Sequence, residues 1–94
     1  MQVSGPVLTK EMEVVHYSDS RHGWVAVKRE TLQAWGLADK ISSYPYQSKA
    51  GGTIYLEEDG DAALFFKEAE ARGYKVSVTE KDTTVVRGYP RYQP

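Results

Sequence analysis

The segment beginning at Asp61 most restricts what this chain can become. Ala62, Phe65, Phe66, Ala69 and Gly73 fall at i, i+3, i+4, i+7 and i+11, one stripe of a helix, while Lys67, Glu68 and Arg72 fall outside it. Glu68 and Arg72 hold the favourable i, i+4 spacing, and Gly73 followed by Tyr74 reads as a left-handed helix ending with Tyr74 over Ala69. Such a helix must lay its stripe on another element. The remaining β-branched and aromatic runs nominate a sheet.

Those runs are residues 11–17 (E-M-E-V-V-H-Y) and 23–28 (G-W-V-A-V-K), a hairpin about the turn S-D-S-R-H. Residues 29–35 read as a short helix with Thr31 or Leu32 starting an apolar face shared with Trp35, and with Gly36 ending it. Residues 41–52 are a loop or an edge strand, because Pro45 lacks a donor N–H. A short strand is expected at 53–56, and a second hairpin at 75–79 and 84–87 around E-K-D-T. The order β-β-α-β-α-β-β predicts an α+β fold: a single small mixed or antiparallel sheet with two helices packed on one face. Its 94 residues suit one domain, with flexible extensions at about 1–10 and 89–94.

The sequence has no cysteine, no signal-peptide pattern and no apolar run near the about 20 residues of a membrane span, so a soluble protein of the cytoplasm is expected. Twelve basic and 13 acidic side chains give no general footprint for a phosphate backbone, which makes nucleic acid the lesser partner. A monomer or homodimer fits equally.

Four carboxylates, Glu57, Glu58, Asp59 and Asp61, precede the second helix. Asp59 or Asp61 is a natural N-cap, stabilising by about 0.3–1 kcal/mol through the helix dipole. Glu57, Asp59 and Asp61 alternate as calcium ligands would, but Gly60 is misplaced for such a loop. A glycosidase pair needs a cleft that this chain has little volume to build. Glu57 and Glu58 can instead project toward a basic partner. His16, Asp19 and His22 recur every three residues, but a structural zinc site ordinarily has four ligands with cysteine among them, so exposed imidazoles at a hairpin turn are expected. Ser18, Asp19 and His22 lie too close together for triad geometry. No catalytic residue, metal or cofactor is predicted, and the protein is read as non-enzymatic.

Tyrosine is the informative excess. Tyr44, Tyr46, Tyr89 and Tyr92 flank prolines in S-Y-P-Y-Q and G-Y-P-R-Y-Q, close to Arg87 and Arg91. Tyr and Arg concentrate binding energy in protein interfaces, so these six residues with Glu57 and Glu58 are the candidate partner-binding set. The competing expectation is that the rings cover the sheet ends.

H-G-W-V at 22–25, D-K-I-S-S-Y at 39–44, Y-L-E-E-D at 55–59 followed by D-A-A-L-F, and R-G-Y-P-R-Y at 87–92 resemble small uncharacterised proteins encoded by tailed bacteriophages and mobile elements. Members often carry a cysteine where this chain has Gly60. The resemblance implies a phage or mobile-element origin and supplies no catalytic residues. Small size, the lack of a catalytic constellation and the Tyr, Arg and acidic groups expected at the surface then point to an accessory protein that binds a host protein in the host cytoplasm, for example an anti-CRISPR-like inhibitor of bacterial defence. Residues 24–37, W-V-A-V-K-R-E-T-L-Q-A-W-G-L, are also similar to AbrB-type swapped-hairpin DNA-binding regulators. That alternative implies a dimer with Lys28 and Arg29 on phosphates and steeply salt-dependent binding.

Overall fold

The computed structural model describes residues 9–42 and 44–94. Its strands are β1 (Lys10–Ser18), β2 (Gly23–Lys28), β3 (Tyr46–Gln47), β4 (Thr53–Glu57) and β5 (Tyr74–Asp82), with helices α1 (Arg29–Ala34) and α2 (Asp61–Ala71). They form one five-stranded mixed sheet in the order β3-β4-β2-β1-β5, the α+β arrangement expected. β1 pairs antiparallel with β2 and parallel with β5. The helix between β4 and β5 therefore carries the chain past β2 and β1 to the far edge.

Period-two alternation sorts each strand into two faces. Val25 opposes Leu56, Val27 opposes Ile54, and Met12 opposes Val76, all on the side covered by the helices. Val14, Leu32, Leu37, Ile41 and Phe65 complete the core there. Trp35 stacks on Phe65 with ring centroids 5.6 Å apart, which ties α1 to α2. Burying a ring like Phe65 contributes about 1.5–3 kcal/mol.

Both helices end as their glycines require. Gly36 has φ 71°, its N–H reaches the Gln33 carbonyl, and the Leu37 N–H reaches Leu32, the double bond of a Schellman ending. Gly73 does the same job after α2 at φ 84°. The start of α2 differs from expectation: Gly60 occupies the cap, without a side-chain hydrogen bond. Asp61 lies in the first turn and accepts from the Ser42 hydroxyl at 2.5 Å, fastening the loop after α1 to the helix.

Two further expectations are corrected. The second hairpin does not form. β5 runs unbroken through Glu80-Lys81-Asp82 because β1 supplies a pairing partner along its whole length, from Lys10 opposite Tyr74 to Ser18 opposite Asp82. The supposed return strand is instead a turn and a 3-10 turn at Val86–Gly88. The C-terminal segment is also no free extension. It crosses the helix-free face and ends with Tyr92, 3% exposed, in the core. Of the proposed N-terminal extension, Lys10 belongs to β1 and residues 1–8 lie outside the described residues. Among the described residues no helix is long and apolar enough to cross a membrane.

Candidate binding face

On the face opposite the helices, strand register gathers aromatic rings at one end. Tyr17 opposes Trp24, and Tyr46 opposes Tyr55. Tyr17 meets Tyr55 edge-on at 5.8 Å, and Trp24 meets Tyr46 at 6.1 Å. The C-terminal segment straps across them. It leaves β5 where the Thr83 N–H bonds the Ser18 carbonyl at 2.9 Å, buries Val86, packs Tyr89 at a tilt against Tyr55 with centroids 5.3 Å apart, and pairs Arg91 with Tyr46 across the edge of β3.

Arginines seat the strap at three points. Arg87 lies over the Trp24 ring, 5.9 Å from its centroid, and its Nε donates to Asp19 at 2.5 Å. Arg91 lies 4.4 Å over the Tyr46 ring and donates to the Tyr44 carbonyl. Arg29 donates to the carbonyls of Gly51 and Gln93 and to the Gln47 side chain, with its guanidinium 5.3 Å over Tyr92. The Tyr92 hydroxyl donates to the Ala38 carbonyl at 2.6 Å, and burial pushes that phenol's pKa up.

The expected partner-binding residues therefore divide. Tyr46, Glu57, Arg87, Tyr89 and Arg91 come together around Trp24 and Tyr55, and Tyr44 stands beside them, 67% exposed. Glu58 turns to the helix-covered face, and Tyr92 is corrected to a core residue because its ring closes the gap beneath Arg29. Arg29 itself is turned inward, whereas Lys28 is exposed. The face also includes Tyr17, Trp24, Tyr55, Asp19 and His22, which the proline-flanked motif does not reveal. The signal shared by Tyr17, Trp24 and Tyr55 is the alternation in three separate strands, which becomes one face only once the register is known, while Asp19 and His22 lie in the turn between β1 and β2.

The histidine-aspartate spacing does not converge either. Alternation in β1 sends His16 to the helix-covered face, while Asp19 and His22 sit at the strap. His16 is mostly buried rather than exposed, with Nδ1 2.6 Å from Glu80 and Nε2 3.0 Å from Glu58. Carboxylates only accept, so both ring nitrogens donate and the imidazole is a cation. Burial alone would lower the His16 pKa, but the hydrogen bonds it donates to Glu80 and then Glu58, with their charges, raise it above 6.5. With both nitrogens engaged, His16 has no lone pair for a substrate proton. Among the described residues no group of three or more His, Asp or Glu side chains is placed to hold a metal ion.

A groove of about 460 Å³ adjoins the strap, lined among others by Glu13, Val15, Tyr17, Ala26, Lys28 and Tyr55. None of these lining side chains is a nucleophile hydrogen-bonded to a base. Comparison with protein-family models, curated proteins and solved structures gives no match.

Proposed function

We propose that this is a non-enzymatic binding protein that recognises another protein through the strapped aromatic face. The observation that carries the reading is the gathering of Tyr46, Tyr89, Arg87 and Arg91 on one surface, with exposed Tyr44 joined to Arg91 through its carbonyl, since Tyr and Arg dominate the energetics of protein interfaces. The strap and its arginines hold these side chains before a partner arrives, which reduces the ordering cost of binding. Glu57 beside Trp24 supplies acid at the rim, where charge acts on encounter and specificity.

The resemblance to phage and mobile-element proteins supports a bacterial host protein as the partner. A component of a defence system, inhibited in the manner of an anti-CRISPR, is the specific form of this proposal. The inward placement of Arg29 works against the DNA-binding alternative, which needs that guanidinium beside Lys28 on a phosphate.

The test uses immobilised protein with lysates of candidate hosts at low and moderate salt. A specific host protein is expected to bind the natural chain and to bind Tyr44→Ala about tenfold more weakly, with the thermal midpoint unchanged. No retained protein in any host, or equal retention by Tyr44→Ala, contradicts the reading. Tight, salt-sensitive gel shifts would favour the regulator instead.

A further inference from the structure

The two edges of the sheet are unlike. At β3 the C-terminal segment lies along the edge: the Gln47 N–H donates to the Pro90 carbonyl, the Tyr92 N–H donates to the Pro45 carbonyl, and Arg91 bridges to Tyr46. At the other edge β5 has no such cover among the described residues. It runs nine residues without proline, glycine or bulge, in unbroken register with β1. The charges that ordinarily blunt an edge sit at its ends, Lys75 at one and Glu80, Lys81 and Asp82 at the other, leaving Val76 to Thr79 uncharged.

Alternation fixes which backbone groups stand open there. The Gly73 carbonyl accepts from the Lys10 N–H and the Thr83 N–H donates to the Ser18 carbonyl, so the odd-numbered residues of β5 turn their peptide groups toward β1. Tyr74, Val76, Val78, Glu80 and Asp82 turn theirs outward. Their side chains lie on the helix-covered face, where Val78 stands beside buried Val14 and is itself 45% exposed.

We propose that β5 pairs antiparallel with β5 of a second copy of this chain, about a two-fold axis through Ser77. Charge selects the direction. The start of the strand is basic, with Lys75 and with the Lys10 ammonium 5.2 Å over the Tyr74 ring, and the end carries Glu80 and Asp82, so antiparallel pairing sets unlike ends together. Outward residues must face outward residues to exchange hydrogen bonds, so the axis passes through a residue and only a few registers remain. An axis through Val78 sets Lys75 directly against Lys81 of the second copy, and one through Thr79 sets Val76 against Asp82 and Val78 against Glu80. The axis through Ser77 does neither. It pairs Val76 with Val78 on both sides of the axis, Lys75 with Thr79 and Tyr74 with Glu80, and so covers the exposed valine. This edge lies away from the strap, and the pairing stands whether or not the strapped face binds a host protein.

The chain has no cysteine, so one introduced thiol reports the register. At an axis through Ser77 the two Cα atoms form a non-hydrogen-bonded pair about 4.5 Å apart, within disulfide reach. Ser77 and Lys75 are both exposed, but two Lys75 Cα atoms would stand about 14 Å apart in this register. Under mild oxidation Ser77→Cys is expected to form a covalent dimer at least about tenfold faster than Lys75→Cys. Sedimentation equilibrium of the natural chain should show monomer at about 1 μM and dimer by about 1 mM, as suits a small interface. Val78→Pro removes one outward N–H and spares the bonds to β1, so it should remain monomeric with its circular dichroism spectrum kept. A natural chain still monomeric at about 1 mM, equal crosslinking of the two cysteine variants, or a dimer that folded Val78→Pro leaves intact overturns the proposal. So does protection of the Val76 and Val78 amides from hydrogen exchange in the monomer, which would assign the edge to residues 1–8 of the same chain. If Val78→Pro fails to fold, the crosslinking ratio decides alone.

Discussion

Gly23→Ala should weaken the protein by displacing a contact on the far side of the sheet from the strap. A Cβ built at Gly23 falls 2.5 Å from His16 Nε2 and 2.7 Å from the Glu58 carboxylate. Ordinary contact needs about 3.5 Å, so both groups must move, each by about 1 Å. The 3.0 Å bond between His16 and Glu58 cannot survive that shift. A hydrogen bond to a charged group is worth about 1.5–3 kcal/mol. Glu58 is 46% exposed, however, and solvent screening lowers the figure to about 1–2 kcal/mol. The reduced entropy of the unfolded chain returns about 0.5 kcal/mol. The net loss of about 1 kcal/mol corresponds to a drop of about 4–8 °C in the thermal midpoint.

The pH dependence gives a second reading from the same assay. His16 has its pKa raised on folding, so its stabilisation is complete below the unfolded value of 6.5 and is lost as pH rises through the folded value. Thermal unfolding followed by circular dichroism should show the natural chain losing stability as pH rises above the unfolded value of 6.5. The Gly23→Ala deficit should shrink over the same interval, because its missing bond counts only while His16 is charged. A variant as stable as the natural chain below pH 6.5, or a deficit that grows as pH rises, would refute this reasoning.

Other consequences follow from the packing and the strap. Phe65→Ala should cost about 3–5 kcal/mol in denaturant unfolding, since the ring is fully buried beneath Trp35. Tyr92→Phe should cost about 1–2 kcal/mol by leaving the Ala38 carbonyl without its hydroxyl donor, a loss measurable from the urea midpoint. Arg29→Lys should also destabilise, by about 1–2 kcal/mol, because an ammonium cannot reproduce the fork that reaches Gly51, Gln47 and Gln93 together.

The parts of the fold that were legible in the sequence are the local ones. The first hairpin, both helices and their Gly36 and Gly73 endings follow from periodicity and backbone conformation within a few residues. The continuation of β5 was not legible, because Glu80-Lys81-Asp82 has turn-like composition and its strand state depends on pairing with β1, 64 positions away at His16 and Glu80. The binding face was legible as residue types and not as an arrangement. Y-P-R-Y marks Tyr89 and Tyr92 alike, yet only folding separates the ring that packs against Tyr55 from the one that enters the core. Asp19 and Arg87 form their pair across 68 positions, a distance at which no spacing rule operates. The carboxylates before α2 show the same limit: Asp61 holds Ser42 and Glu58 holds His16, while capping falls to Gly60.

The account depends most on the strap lying across the aromatic end of the sheet. Nuclear Overhauser contacts in the free protein at neutral pH read this directly. Cross-peaks are predicted between the Tyr89 and Tyr55 rings, between Val86 and the rings beneath it, and between the Arg29 side chain and the Tyr92 ring. Random-coil shifts through residues 84–92, with none of these cross-peaks, would contradict it.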